Sequence, residues 1–304
     1  MTSALVLGVY LIHMAFVPLL FIGFVRWMKA RLQGRRGPSP LQPFWDTAKL
    51  LGKSETISET ASGAFRVAPI VSLASVAAAA LMVPWLGLPS PIAGDLFLTI
   101  YLLALGKFCT SLAALDTGSS FGAIGASREA AISVQAEPAL ILALAALAAR
   151  AHSSRFDAMF APGVHGEQVI ILAILAAAAS WLCALAELSR MPIDDPTTHL
   201  ELTMVHEAMI LENSGRGLAL IEYTAALKTV LLLGVVSRIV MLAIPRVDGG
   251  LCYIACGCLL CVAALALAVG ETVMVKLSWR RVPNLLSYAL GASCLACLLV
   301  AMRG

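Results

Sequence analysis

Several ionisable side chains stand inside long apolar stretches of this chain: Lys107, Glu137, Glu187, Glu222, Lys228, Arg238 and Glu271, with Asp116 and Glu129 at the ends of such stretches. Each costs about 2.5–3.5 kcal/mol to insert into a bilayer, which makes each a functional candidate. Glu129, Ser133 and Glu137 recur at i, i+4 and i+8 and so form one polar stripe on a helix. Glu187 and Arg190 are three residues apart and could pair across one helical turn. A carboxyl screened from water can load and release a proton, and a nearby lysine tunes it. So many carboxylates and lysines on several spans predict a hydrated path for protons or ions. Arg238 and Lys276 read more simply as a snorkelling end or a structural ion pair.

The elements that must position these groups are membrane helices. Of 304 residues, 60% are hydrophobic and only 13% charged. A soluble domain carries roughly 25% charge, so a soluble enzyme, a disordered protein and a nucleic-acid binder are all excluded. A span needs roughly 20 apolar residues. Eight runs qualify, at about 4–25, 67–88, 95–116, 131–150, 168–189, 219–244, 251–275 and 284–302. They are continuous Leu/Ala/Val/Ile runs without strand-like alternation. The expectation is an all-α polytopic protein forming a single membrane domain over 1–304. The first run lacks a basic leader, its positive charges starting only at Arg26, so it reads as a retained span and not a cleaved signal.

Positive charge concentrates between spans one and two, where Arg26, Lys29, Arg31, Arg35, Arg36, Lys49, Lys53 and Arg66 face only Asp46, Glu55 and Glu59. Arg128, Arg190, Arg216, Lys276, Arg280 and Arg281 lie in the other odd-numbered connections. The positive-inside rule then makes those loops cytoplasmic and leaves both termini outside. Topology and lipid headgroups account for many of the charges, and docking of a soluble partner is the sharper reading. Within 26–66, Leu41, Phe44, Trp45, Ala48, Leu50 and Leu51 interleave with Asp46, Lys49 and Lys53 after Gly37-Pro38-Ser39-Pro40. That pattern predicts an amphipathic interfacial helix. The second long loop, 190–218, is acidic, and Pro196-Thr197-Thr198 predicts a helix running to about Glu212 and ended by Gly215.

The eight cysteines are a weaker lead. Cys252, Cys256, Cys258 and Cys261 crowd one span, but at 100° per residue they spread over more than half its circumference and cannot converge on a metal. His199 and His206 would share a helix face beside Glu207 without forming a recognised zinc motif. No phosphate-binding glycine loop is present. The chain is expected to hold no redox cofactor or metal of its own.

Arg35-Arg36-Gly37-Pro38, then Leu41-Gln42-Pro43, Asp46 and Lys49-Leu50-Leu51, resemble the first cytoplasmic loop of the respiratory complex I subunit 1 family. Glu187-Leu-Ser-Arg190-Met-Pro192-Ile-Asp194-Asp-Pro196, Glu201-Leu202 and Ser214-Gly215 resemble that family's loop between spans five and six. Arg128 and Glu137 match its span-four pair. Leu115-Asp116-Thr117-Gly118-Ser119 and Ala123-Ile124-Gly125-Ala126-Ser127-Arg128-Glu129-Ala130 look like its hydrogenase branch, the formate hydrogenlyase subunit 4 and hydrogenase-4 component C group. The resemblance covers nearly the whole chain. Thr197-Thr198-His199 and Met204–Met209 depart from it, and the stretch from Glu201 to Ser214 runs longer than the quinone-linked pattern.

The resemblance implies an eight-helix anchor that is not itself catalytic, in a bacterial or archaeal inner membrane. It would couple electron transfer in a seated redox arm to proton movement. Implied partners are hydrogenase-like large and small subunits, a ferredoxin-like Fe–S subunit and antiporter-like membrane subunits, the Fe–S clusters and any NiFe centre lying on those partners. It also leaves open a quinone site. Carried over residue by residue, it marks Arg128, Glu137, Glu187, Arg190, Asp194 and Glu201. With the intramembrane charges, the expected polar chamber is Lys107, Glu129, Glu137, Glu187, Arg190, Asp194, Glu201, Glu222 and Lys228. The expected docking set is Arg35, Arg36, Asp46, Lys49 and Arg128. The competing readings are a quinone-reducing complex I subunit and a stand-alone secondary transporter with midplane carboxylates. Rim charge tunes association more than core affinity. Replacing Arg35 and Arg36 by Glu should therefore release the soluble arm from membranes as salt rises, measured by fractionation. Full retention at high salt would leave topology as their only role.

Overall fold

The computed structural model describes residues 3–161, 166–194, 204–244 and 250–302. Eight helices among them are long and apolar enough to cross a membrane. They are α1 (Ser3–Leu32), α3 (Gly63–Met82), α4 (Leu96–Asp116), α5 (Ser120–Ala151), α7 (Glu167–Glu187), α9 (Gly215–Met241), α10 (Gly250–Val273) and α11 (Val282–Ala301), the last entered through a 3₁₀ turn at Trp279–Arg281. Short helices α2 (Gln42–Leu51), α6 (Phe156–Met159) and α8 (His206–Ile210) lie between them. The architecture is all-α, as the apolar runs predict.

α9 is the most enclosed of the eight and forms the axis of the bundle. The α3–α4 hairpin, the α1–α10 pair and α7 pack around it, with α5 and α11 completing the layer beyond α7. Its Leu227, Val230, Leu231, Leu233 and Ile239 are fully enclosed. Its buried hydroxyls add no unpaired polar atoms, because Thr224, Thr229 and Ser237 each donate to the carbonyl four residues earlier, at 2.7, 2.7 and 2.8 Å. Hydrocarbon offers no hydrophobic drive between helices, so small residues must let the backbones close up. Ala136, Ala139 and Ala143 of α5 and Ala289, Ser293 and Ala296 of α11 are buried accordingly. Ser293 Oγ donates to the Ala139 carbonyl across this seam at 2.7 Å.

α2 carries the predicted amphipathic pattern. Pro43 is buried and Phe44 meets Phe16 of α1 at 6.1 Å between ring centres, while Trp45 and Lys49 point outward. Two local expectations differ from the structure. α5 starts at Ser120, well before the expected 131, because helix continues through Arg128 and Glu129, where hydropathy alone stops. Gly215 does not end a helix but opens α9 with φ +50, its backbone lying against the Ser54 carbonyl. Among the described residues the 204–214 stretch forms only α8, and Pro196, Thr197, Thr198, His199 and Glu201 lie outside them.

The 51–56 loop is fastened to the start of α9. Ser214 Oγ accepts from Thr56 N at 2.8 Å and donates to the Thr56 carbonyl at 2.9 Å, while Gly217 N donates to Glu55 Oε1 at 2.8 Å. At the other end of α9, Gly234 touches Trp85, where an added Cβ would come within 2.7 Å of the Trp85 Cβ. Trp85 is itself fixed by an Nε1–H bond to the Ala80 carbonyl at 3.0 Å and by edge contact with Tyr10. Overpacking such a contact costs typically 1–3 kcal/mol. Gly234→Leu should therefore lower the thermal unfolding midpoint of the detergent-solubilised protein. Gly257→Leu, at a position with open space around it, should leave the midpoint unchanged.

Candidate functional site: a chamber of paired charges

Five of the intramembrane charges, Lys107, Glu129, Glu137, Glu187 and Lys228, converge from four helices, whereas Arg238 lies apart beside Cys252 and Phe160 and Asp116 is held by Ser62. Lys107 of α4 reaches between α5 and α7, its Nζ lying 2.9 Å from Ser133 Oγ, 2.9 Å from Glu137 Oε1 and 2.5 Å from Glu187 Oε1. Glu129 Oε1 is 3.9 Å away from the same ammonium. The i, i+4, i+8 stripe of α5 thus faces a single lysine. Glu187, at the last turn of α7, takes a second cation: Lys228 Nζ of α9 donates to its Oε2 at 2.8 Å and to its backbone carbonyl at 3.0 Å. Glu187 is almost wholly enclosed, whereas about a third of the Glu137 side chain (34%) remains accessible. Neither charge of a buried pair is tolerated alone, so the lysines and carboxylates depend on each other.

A second group lies toward the ends of α1 and α10. Arg190 Nη1 donates to Glu271 Oε1 at 2.9 Å, and Lys29 Nζ to Glu271 Oε2 at 3.2 Å. Asp194 takes Lys276 Nζ at 2.5 Å and the Val205 amide at 3.1 Å. The expected Glu187–Arg190 pair is therefore not formed. α7 ends at Glu187, and Ser189 turns the backbone at φ +47, so Arg190 is not one helical turn along and meets Glu271 instead. Glu271, Lys29 and Lys276 were missing from the expected site. Glu271 is separated by 81 residues from Arg190 and by 242 from Lys29, and no local spacing rule connects such groups.

Both groups contribute to one chamber of about 280 Å³. Leu19, Ile22, Val76 and Leu103 line its apolar part, and Glu129, Glu187, Lys228, Arg190 and Asp194 its polar part. Arg26, Asp46, Glu207, Glu222 and His206 complete the wall, on the side where α1, α7 and α10 end. Glu222 belongs to this wall, and Glu201 lies outside the described residues. Of the docking set, Arg35, Arg36 and Lys49 are exposed. Asp46 is engaged with Gln42 at 2.8 Å and Arg26 at 4.0 Å, and Arg128 donates to the Met204 carbonyl at 2.9 Å over the Trp279 ring. On α10, Cys256 is buried, Cys252 is half-buried beside Arg238, and Cys258 and Cys261 are exposed, so the four spread around the helix.

An eight-helix membrane domain enclosing paired carboxylates and lysines, open on its loop side, defines a protein that handles charge within the bilayer and not a soluble catalyst. The chain belongs to the family described as NADH dehydrogenase, whose model matches residues 5–301. It is 37% identical to hydrogenase-4 component C of Escherichia coli K12 over 70% of this chain and 67% of that protein. It is 36% identical to formate hydrogenlyase subunit 4 of the same organism, over 73% and 72% of the two chains. A chain from the membrane-bound sulfane sulfur reductase, an archaeal respiratory membrane complex, shares the fold with a TM-score of 0.81 at 23% identity, covering 99% of this chain and 100% of that one. Membership makes the chain a non-catalytic membrane subunit of a complex-I- or hydrogenase-like oxidoreductase.

His199 lies outside the described residues, and His206 lies in the chamber wall. Burial, then the charge of Lys228 and less so of Arg190, outweigh the pull of Asp194 and push it down to about 4. An unfolded histidine titrates near 6.5. The unfolded chain therefore binds the proton first, and stability is fully present above about pH 6.5 and falls as pH drops toward 4. His206→Gln should flatten that loss, measured by thermal unfolding between pH 7 and about pH 4.

Proposed function

We propose that this chain is the proton-path anchor of an energy-converting, hydrogenase-type oxidoreductase of a bacterial or archaeal inner membrane. It seats the soluble redox arm on its first and third connections and couples electron transfer there to proton movement. The observation that carries this reading is the continuous run of titratable groups from Glu137 through Lys107, Glu187 and Lys228 to the chamber. Carboxylates and lysines in contact change each other's affinity for protons, so a charge arriving at the chamber mouth is felt along the run. Arg35, Arg36 and Lys49 supply exposed positive charge for the arm. Asp46 and Arg128 act from the chamber rim, through Gln42 and the Met204 carbonyl. The partners are large and small hydrogenase-like subunits, a ferredoxin-like Fe–S subunit and antiporter-like membrane subunits. They carry the Fe–S clusters and any NiFe centre. Both termini face away from the arm.

A quinone site is the second reading, favoured by the apolar wall of Leu19, Ile22, Val76 and Leu103. Against it, the lining cations Arg26, Lys29, Lys107, Arg190 and Lys228 are each engaged by a carboxylate of the chain. That arrangement suits proton exchange better than recognition of a quinone carbonyl. A stand-alone transporter does not accord with the family.

The partly accessible Glu137 gives the cleanest test. Glu137→Gln should assemble at wild-type yield, because Lys107 keeps Glu187, while proton-coupled turnover of the whole complex falls. Glu187→Gln alone leaves two lysines against one strong partner and should cost about 3–5 kcal/mol, so it is paired with Lys228→Met to keep the charge balance. Wild-type coupling in both assembled variants would remove this run from the proton path.

A further inference from the structure

The charge balance of the inner cluster singles out one carboxyl. Among the described residues, Glu129, Glu137 and Glu187 pair only with Lys107 and Lys228. An ammonium has three N–H donors. Those of Lys107 are committed to Ser133, Glu137 and Glu187. Glu129 therefore lies 3.9 Å from the charge without receiving a hydrogen bond from it. Its other oxygen, Oε2, is buried with no hydrogen-bond partner among the described residues, and the side chain is only 5% accessible. The remaining charged groups around it do not change this. Glu187 is saturated by two lysines, Lys228 is spent on Glu187, and Asp194 is held by Lys276 and the Val205 amide. An ionised carboxylate in that position would be buried and undersolvated, a state proteins avoid by neutralising the group.

We propose that Glu129 is the one protonated carboxyl of the cluster. With Glu129 as the acid, two carboxylates balance two ammoniums and the cluster is neutral. Breaking the Glu129 O–H bond passes the proton to a water in the chamber that Glu129 lines, leaving a carboxylate and one net negative charge. Return of the proton restores neutrality. The residue's position deepens the proton-path reading above and rests on it, since it gives that path a loading site. Lys107 spends one N–H on the neutral Ser133 hydroxyl and lies 3.9 Å from Glu129 Oε1, so turning that one donor from Ser133 to Glu129 would steady the transient carboxylate when the proton leaves.

Glutamine mimics the uncharged acid in shape and charge, so Glu129→Gln and Glu187→Gln should behave oppositely in the purified complex. E129Q should assemble at wild-type yield and lose a protonated-carboxyl C=O band from the infrared spectrum at neutral pH. E187Q should instead lose assembled complex, because it leaves Lys107 and Lys228 buried against one fewer carboxylate. Persistence of the band in E129Q, or loss of assembly like that of E187Q, would overturn the assignment. Unchanged coupling in Glu137→Gln and in the paired Glu187→Gln/Lys228→Met variant would instead remove the path. It would leave the protonation of Glu129 standing.

Discussion

The structure depends on one carboxylate. Glu187 takes both oxygens to lysines from different helices, Lys107 of α4 and Lys228 of α9, at 2.5 and 2.8 Å. None of the three could remain charged in an apolar bundle without the others, because the desolvation of each ion is large and only close opposite charge offsets it. The end of α7, the middle of α4 and the first half of α9 are thereby fixed relative to one another. That junction forms the inner wall of the chamber, and α5 joins it through the same Lys107.

Beyond this knot the charges are graded. Glu137 is partly accessible, Glu129 enclosed and short of donors, and Glu187 saturated. Three chemically identical groups are thus placed in three electrostatic settings by their surroundings alone. The outer group of Glu271, Lys29 and Arg190 is separate from the inner knot, though both face the same space.

How much of this was legible in the sequence follows from distance along the chain. The eight spans needed only composition and length. The Glu129–Ser133–Glu137 stripe needed only the helical period, and α2 only its alternation of Phe44, Trp45 and Asp46. Lys107, Glu187 and Lys228 were visible as misplaced charges. Their pairing was not visible, because 80 residues separate the first two and 41 the last two. The one pairing inferred from spacing, Glu187 with Arg190, failed because helix ends at Glu187 and Ser189 turns the chain out of register. Lys29 was hidden for a different reason. Among eight basic residues of the first loop it looked like topology, yet α1 runs on to Leu32 and carries it to Glu271.

The stitch between the 51–56 loop and α9 has a mechanical meaning. Ser214 and Gly217 grip Thr56 and Glu55 at the foot of the helix that carries Lys228. Lys228 lies 14 residues beyond Ser214, about 20 Å at the helical rise of 1.5 Å per residue. A stiff helix with one end held by a surface loop is a push-rod: pressure applied outside the bilayer travels along it without bending. Whatever body sits on that loop has its hand on Lys228, and through it on the carboxylate that Lys228 shares with Lys107.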